Sequence, residues 1–424
     1  MAYRFVHAAD IHLDSPLRSL ALRDPGLADV IGNATRRAFI RIVDLCLDEQ
    51  VDALLLAGDL YDGHQTSMKT ARFLAEQIRR LHEASIRAFI IRGNHDALSK
   101  ITKELTFPDS VKVFGGRAEV VEIVRRKGDT PIAIHGLSFA QPHAPESLIV
   151  KYKPAVEGAI NIGVLHTSLA GAPGHDPYSP CSLADLAATG FNYWALGHIH
   201  KRSVVEGRCA IVMPGMPQGR DINETGSKSV TLVTIADDRS IRIEERTTSV
   251  AQFERVCTDV TNIDNWTALV REIGRSVEQA RDGLSSEQLV VRLRLTGTTP
   301  LAWRIRRDLD LLKTELDHRA AVIGACWVEK LETDCHAPGA MGGLSDNPLT
   351  ELHRLINEVV VRSDAFQMDV KRIAEELRDQ LPPECRTILG SDEATFDRAL
   401  AGLVTEGADD VLARLHAGAE AGES

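Results

Sequence analysis

The sequence of 424 residues lacks paired cysteines, long apolar runs and an excess of basic residues. Its seven cysteines are scattered and never form C-x-x-C, so we expect neither a disulfide framework nor a structural zinc site. No uncharged apolar run of about 18 residues occurs, and the N-terminus lacks the basic flank and apolar stretch of a secretory signal. These absences predict a cytoplasmic protein that has no membrane partner.

The charge balance excludes a protein coated with basic surface. The chain has 49 Lys and Arg residues against 60 Asp and Glu residues, a net charge of −11. This balance argues against a histone-like DNA binder, although it leaves room for a local basic groove. Histidine is what the sequence has in plenty, since 11 of its 15 histidines lie in the first 200 residues. The asymmetry points to a functional site in the first half of the chain.

The first half of the chain repeats one pattern, an apolar strand-like run that ends abruptly in polar or acidic residues. Such runs end at Asp10, Asp59, Asp96, Gly136, Ser168 and His200. Stretches with helical spacing, such as residues 38–47 and 70–82, lie between several of them. Near-continuous apolar strands that alternate with helices predict an α/β fold whose strands are covered on both faces. In such sheets, residues just beyond the strand ends line the ligand crevice.

Composition divides the chain into three predicted regions, residues 1–250, 256–335 and 345–424. Within the first region, shorter and more polar strands at 204–212, 229–235 and 241–245 indicate an antiparallel edge or a second sheet. The second region alternates helix and strand and is typical of a small α+β domain. A Gly- and Pro-rich linker precedes the third region, whose amphipathic helix carries one apolar face of Leu349, Leu352, Ile356 and Val359. That face either binds a partner or packs on the second region.

Metal-competent side chains occupy the predicted strand ends. They are Asp10 and His12 in D-x-H, Asp59 in GDLYD, Asn94 in GNHD, His166 in GVLH, and His198 and His200 in GHIH. Carboxylate, amide and imidazole ligands together suit first-row divalent metals such as Mn²⁺, Fe²⁺ or Zn²⁺. These ligands are too many for one tetrahedral ion and suit two, and two cations about 3.5–4 Å apart clamp a phosphoryl group during in-line displacement.

Each of these motifs has an ordinary structural explanation when it is taken alone. D-x-H and G-D are common at strand-end turns, and a lone buried His166 is more often a core residue than a ligand. GNHD and GHIH are more specific, because two histidines two positions apart can face one ion while the preceding glycine permits close approach. The ordered set, with each member at a strand end, indicates a dinuclear metal site.

The ordered motifs are similar to those of the calcineurin-like metallophosphoesterase superfamily. AADIHLDSPL, GDLYDG, IRGNHD and LGHIHK most resemble its SbcD/YhaO branch, which is related to the Mre-type DNA repair exonucleases. The resemblance covers about residues 1–205. It implies a four-layer sandwich of two mixed sheets flanked by helices, a small α+β cap domain at 256–335, and C-terminal helices at 345–424 that dock on an SMC-like ATPase.

The resemblance also implies roles for individual residues. Asp10, His12, Asp59 and His200 would hold one metal, and Asp59, Asn94, His166 and His198 the other. His95 would contact the scissile phosphate and help to protonate the leaving oxygen, while a water activated by the two metals attacks. Three further residues are candidates for supporting roles: Asp62, Asp96, which orients a ligand imidazole or caps its own turn, and His135, which lines the crevice or is a buried structural histidine.

The leading hypothesis is a DNA exonuclease or endonuclease that uses two divalent metal ions, Mn²⁺ first among them, in DNA repair. Its implied partners are DNA and an SMC-like ATPase of the SbcC/YhaN type, and a homodimer is left open. One alternative is a metallophosphatase or phosphodiesterase that acts on a small nucleotide-like substrate. The other alternative is a non-catalytic scaffold subunit built on the same fold.

Overall fold

A computed structural model gives the structure of most of the chain. It describes residues 2–15, 25–62, 67–97, 106–124, 129–141, 143–169, 178–338, 348–382, 386, 389–390 and 392–422. They form two compact units, the first of Met1–Glu254 with Gly283–Val290 and the second of Arg255–Asp282 with Val291–Ser424. The division of the later chain into regions at 256–335 and 345–424 stays a prediction.

Two sheets dominate the first unit. Their strands are Tyr3–Ala8 (β1), Ala53–Ala57 (β2), Arg87–Ile91 (β3), Val111–Val113 (β4), Glu119–Ile123 (β5), Ile132–Gly136 (β6), Ile160–His166 (β7), Tyr193–Gly197 (β8), Ser203–Val205 (β9), Ala210–Met213 (β10), Ser229–Ile235 (β11) and Ile241–Thr247 (β12). The strand orders are β12–β11–β1–β2–β3–β4 and β5–β6–β7–β8–β10–β9. In the first sheet β1, β2, β3 and β4 pair in parallel, and β11 and β12 add antiparallel pairs at one edge. In the second sheet parallel pairs form the middle and antiparallel pairs lie at both edges, so both sheets are mixed.

The run predicted as one strand at 204–212 is a hairpin, in which β9 pairs antiparallel with β10. The chain turns around Gly207, between the two short strands. β10 continues the second sheet parallel to β8, whereas β11 and β12 add an antiparallel edge to the first sheet. The later strands therefore extend both sheets, because the hairpin and the β11–β12 pair attach to different ones.

The two sheets stack with apolar layers inside and outside them. Helices Ala34–Asp48 (α1) and Met68–Glu83 (α2) cover the first sheet with residues at helical spacing, among them Phe39, Ile42, Leu74 and Ile78. Between the sheets lie buried residues that include Phe5, Leu55, Ile162 and Tyr193. A short helix, Leu183–Ala188 (α3), and loops cover Trp194 on the far face of the second sheet. This arrangement confirms the predicted four-layer α/β sandwich.

The later chain forms one more sheet and several helices. The sheet has the order β13–β14–β15, from Ala251–Asp259 (β13), Gln288–Thr298 (β14) and Cys326–His336 (β15), and its helices are Trp266–Asp282 (α4), Ala302–Arg307 (α5) and Leu309–Ile323 (α6). Beyond them lie Pro348–Leu355 (α7), a π-helical turn at Ile356–Val360, Asp364–Gln380 (α8) and Glu393–Gly422 (α9). Among the described residues, no helix is both long and apolar enough to cross a membrane.

Parallel strands bring the candidate ligands together. β1, β2 and β3 run side by side in one sheet, and β7 and β8 do so in the other, so the carboxyl ends of each set share one edge. Backbone bonds tie the loops that follow: the His12 amide donates to the Asp59 carbonyl at 3.0 Å. The His166 ring, at the end of β7, lies 2.9 Å from the Ala57 carbonyl of β2. The two sheets therefore meet at the ligand loops.

Candidate metal centre

The structure gathers the predicted ligands into one cluster. Ligand atoms within 4.8 Å of one another define two groups that match the expected metals, Asp10–His12–His200 and Asp59–His166–His198. We call them the first and second metal positions. Asn94 joins the second position, because its Oδ1 lies 3.0 Å from Nε2 of His166. A third group, His12–Asp62–His95, adjoins the first position.

Four of the ligands have a left-handed backbone, which is unfavourable for residues other than glycine. Their φ angles are +53° for Asp10, +45° for His12, +53° for Asp59 and +102° for His198. Each such conformation costs on the order of 1–3 kcal/mol and persists only where the surroundings enforce it. The loops meet that condition, for example through the Asp10 amide, which donates to the Gly58 carbonyl at 3.1 Å. Four of the seven predicted ligands thus have a strained backbone.

Glycines in the motifs permit the close packing of the second position. A Cβ on Gly93 would collide with the Asp59 carboxylate and with the His166 ring. A Cβ on Gly197 would collide with the Ala57 carbonyl and with the same ring. The glycines of GNHD and GHIH are therefore needed for the approach of His166 to the cluster, as close backbone approach requires.

The first position places two nitrogen lone pairs face to face. Nδ1 of His12 lies 2.8 Å from Oδ1 of Asp62, and Nδ1 of His200 lies 2.8 Å from Oε1 of Glu224. A carboxylate only accepts, so each Nδ1 donates and each neutral ring has its lone pair on Nε2. Burial lowers the pKa of His12, which favours the neutral form. The two Nε2 atoms are 3.3 Å apart, an arrangement that a cation between them would stabilise.

The second position also collects electron-rich atoms. Nδ1 of His166 donates to the Ala57 carbonyl at 2.9 Å, so its Nε2 faces Oδ1 of Asn94 at 3.0 Å and Oδ2 of Asp59 at 3.3 Å. Burial opposes protonation of His166, but the Asp59 and Asp10 carboxylates outweigh it and raise the pKa to about 9. The second position therefore favours a positive charge beside Nε2 of His166. A bound divalent cation would supply that charge in place of a proton.

Two buried carboxylates complete the donor set. Asp10 accepts the His198 amide at 3.1 and 3.0 Å through its two oxygens, and burial raises its pKa against the attraction of nearby imidazoles. For Asp59, burial is outweighed by His166, which holds the pKa of that carboxyl well below its usual range. Buried carboxylates, imidazoles and an amide oxygen match first-row divalent metals. The residues of both positions fit such ions.

His95 differs from the ligands in its exposure. Its side chain is 46% exposed, whereas the His12 side chain is buried. The His95 amide donates to Oδ1 of Asp59 at 3.0 Å, and Nδ1 lies 3.3 Å from Oδ1 of Asp62. The bond to Asp62 raises the pKa of His95, which favours the protonated ring. The imidazole of His95 is therefore open to solvent, and its raised pKa favours the protonated ring.

Asp96 caps the turn rather than orienting an imidazole. Its Oδ2 accepts the Leu60 amide at 3.0 Å and its Oδ1 accepts the Gly93 amide at 2.6 Å. Burial, with the charge of Asp59 beside it, raises the pKa of Asp96 to about 7. Of the two roles considered for Asp96, the structure shows the turn cap. Its two hydrogen bonds link the loop after β2 to the loop after β3.

The structure does not bring His135 to the cluster. Side chains alternate along β6, so Ile134 faces the layer between the sheets and His135 faces the other side. There its Nε2 lies 2.9 Å from Oδ1 of Asn161 and its ring packs on Phe191 with centroids 4.2 Å apart. These are the surroundings of a structural histidine, the alternative to a residue that lines the crevice.

Two residues beside the first position had no signal in the motifs. Glu224 contacts His200, and Arg220 donates to Glu224 from its backbone amide and from Nη2, both at 2.7 Å. They lie in the loop between β10 and β11, 20 and 24 residues along the chain from His200. An Arg and a Glu four positions apart in a polar loop are common, so only the fold identifies them. Asp62, in contrast, was predicted as a supporting residue and contacts His12.

Comparison with known proteins agrees with this geometry. Residues 3–202 match the family described as calcineurin-like phosphoesterase, and residues 253–336 match the middle domain of metallophosphoesterase YhaO. A Bacillus subtilis (strain 168) relative, named as the uncharacterized metallophosphoesterase YhaO, is 35% identical over 70% of this chain and 72% of its own. A protein of Sulfurisphaera tokodaii named DNA double-strand break repair protein Mre11 is 27% identical over 55% of this chain and 60% of its own. The protein of that name in Methanocaldococcus jannaschii is 28% identical over 47% and 51%.

Proposed function

Since the chain belongs to the calcineurin-like phosphoesterase family, and so is a phosphoester hydrolase with a dinuclear site for divalent metals, we propose that it hydrolyses phosphodiester bonds in DNA. The observation that carries the proposal is the pair of adjacent positions at which the electron-rich atoms of the predicted ligands converge. Beside them, His95 is exposed and can donate a proton. Paired metals and a proton donor together serve phosphoester hydrolysis.

In this mechanism the chain holds and orients the reacting groups. Asp10, His12, Asp59 and His200 would hold one cation, and Asp59, Asn94, His166 and His198 the other, with Asp59 shared. When bound there, two divalent cations would supply positive charge against the phosphate and lower the pKa of a water for in-line attack. Asp62 keeps the ring of His12 in the tautomer that binds through Nε2, and it also orients His95. His95 donates its proton to the oxygen that leaves.

The charge of the cluster suits a singly charged phosphodiester. The carboxylates of Asp10, Asp59, Asp62 and Glu224 lie at the site together with the guanidinium of Arg220. Two divalent cations would slightly outweigh this net negative charge when the imidazoles are neutral. The loaded site would therefore attract an anion locally, although the chain as a whole carries −11.

The choice of DNA is supported by the similarity to the two proteins named as DNA double-strand break repair proteins. Mn²⁺ is the proposed metal, since the mixed oxygen and nitrogen ligands suit it. We also propose a cytoplasmic location, in keeping with the free, mostly buried cysteines among the described residues.

A substrate comparison tests this function. Full-length protein would be titrated with Mn²⁺ and supplied with defined single-stranded and double-stranded DNA ends or with a small aryl phosphodiester. We expect metal-dependent cleavage of DNA that chelation abolishes, with a higher kcat/KM for DNA than for the small ester. Turnover of the small ester alone, with and without an ATPase partner, would favour the small-molecule enzyme. Turnover of neither substrate would favour the scaffold.

The helices of the third region are proposed to dock on an SMC-like ATPase. Large apolar side chains are exposed along them: Val359 (57%), Met368 (69%), Leu377 (57%) and Leu403 (50%). Part of this region packs on residues of the predicted cap at 256–335 instead. Helix α9 contacts α5, and Asp409 pairs with Arg306 at 3.2 Å. Deletion of the residues after Gly343 should abolish co-purification with the ATPase. Unchanged co-purification would contradict docking, and light scattering of the full chain would test for a homodimer.

A further inference from the structure

We propose that Glu224, held in place by Arg220, is a positioning residue that makes the first metal position the tighter of the two. The inference rests on the proposed function, because it presumes that both positions take divalent cations. It concerns the order in which the site loads, and it follows from the groups that lie behind the ligands.

The Glu224 carboxylate is fixed from several directions. Its Oε1 accepts from Nδ1 of His200 at 2.8 Å and from Nη2 of Arg220 at 2.7 Å, and its Oε2 accepts the Arg220 amide at 2.7 Å. The Glu224 side chain is only 12% exposed. A carboxylate held in this way fixes the rotation of the His200 ring and directs its Nε2 toward Nε2 of His12, 3.3 Å away.

The loop that carries the pair is anchored at its other side. Oε1 of Gln218 accepts the Val250 amide at 2.8 Å, and the Gly226 amide donates to the Phe253 carbonyl at 3.0 Å. An exposed ion pair on a free loop contributes little, because ordering two long side chains costs entropy. Here the loop is anchored and the carboxylate is buried, so Glu224 is ordered before any metal binds.

The groups behind three of the ligand imidazoles, those of His12, His200 and His166, differ between the two positions. At the first position both rings donate to carboxylates, His12 to Asp62 and His200 to Glu224. At the second position, the ring of His166 donates to the neutral Ala57 carbonyl. A carboxylate behind an imidazole increases its basicity and adds negative charge near the cation, and removal of such a partner typically costs about 10–100-fold in metal affinity. The first position should therefore fill first.

Direct metal binding tests this order. Mn²⁺ would be titrated into the full chain, with free Mn²⁺ followed by electron paramagnetic resonance. We expect two classes of site in the natural protein and a tighter class weakened about 10–100-fold in Glu224→Ala. Glu224→Gln should lose less, because its amide oxygen still accepts from His200. Asp221→Asn is the matched control: Asp221 lies in the same loop and accepts the Asn223 amide at 2.7 Å, so both classes should stay unchanged.

Each outcome is decisive. Two equal classes in the natural protein, or Glu224 variants that titrate like Asp221→Asn, would overturn the inference and leave the proposed function intact. Loss of the weaker class would overturn it as well. Fewer than two bound ions in the natural protein would overturn the proposed function itself. Melting curves with chelator present would show whether each variant folds. If Glu224→Ala does not fold, Glu224→Gln replaces it in the titration, because it preserves the shape of the side chain.

Discussion

A histidine inside a strand, His7, and one just beyond the strand end, His12, are equally buried but have different partners. His7, inside β1, has Tyr193 Oη 3.0 Å from Nδ1 and the Leu196 carbonyl 3.0 Å from Nε2. His12, just beyond the same strand, has the Asp62 carboxylate at Nδ1 and another imidazole nitrogen at Nε2. Burial therefore does not identify a ligand; the partners of the two ring nitrogens do.

The difference follows from where each side chain can point. A strand interior surrounds an imidazole with neutral groups of neighbouring strands, as it does for His7, and for His135 beside Asn161. A strand end opens into loops, where carboxylates from other loops can approach, as at His12 and at His166 beside Asp59. The strand interior thus favours a neutral structural histidine, and the strand end favours a cation.

Replacement of His95 should have the largest effect on activity. His95→Ala removes the exposed proton donor and should slow DNA hydrolysis about 10²–10⁴-fold. Both metals should remain bound, because the facing lone pairs belong to other residues. Hydrolysis rates and bound Mn²⁺ would be measured on the same sample. Activity near that of the natural protein would contradict the role of His95.

A pair of alanine variants tests the comparison of the two regions directly. His166→Ala removes a ligand and should weaken Mn²⁺ binding at the second position by more than the roughly 100-fold that loss of a supporting partner costs. His135→Ala should leave Mn²⁺ binding unchanged and lower the free energy of unfolding by about 1–3 kcal/mol, since it removes a buried imidazole that contacts Asn161 and packs on Phe191. Calorimetric titration measures Mn²⁺ binding, and thermal melting measures stability, in each of the two variants. An equal loss of Mn²⁺ binding in the two variants would contradict the distinction between strand-end and strand-interior histidines.

A pH dependence of stability that is due to His7 is also expected. Burial lowers the pKa of His7 to about 3 from the ordinary value of 6.5. Between these values only the unfolded chain binds the proton, so the stability that neutral His7 contributes is present above pH 6.5 and is lost as the pH falls. The loss is about 1.4 kcal/mol per pH unit in that window. The free energy of unfolding of His7→Gln, measured with denaturant in the absence of metal, should depend less steeply on pH than that of the natural protein. An identical pH dependence would contradict this origin.

The sequence sufficed to predict the fold and the grouping of the candidate ligands, because the strands and the residues that follow them are recognisable locally. Asp10, Asp59 and His198 each follow an apolar run within a few residues, so a strand end predicts their place. Glu224 could not be predicted, since its contact with His200 depends on how a distant loop returns to the sheet. The side of the sheet that His135 faces depends on which layer covers it.

The most direct test of the central claim is the location of the metals. An anomalous difference map from crystals of the protein grown with Mn²⁺ would show where the ions bind. We predict two peaks per chain, one shared by Nε2 of His12 and of His200 and one beside Nε2 of His166, with the Asp59 carboxylate between them. A single peak, or peaks away from these nitrogens, would contradict the account.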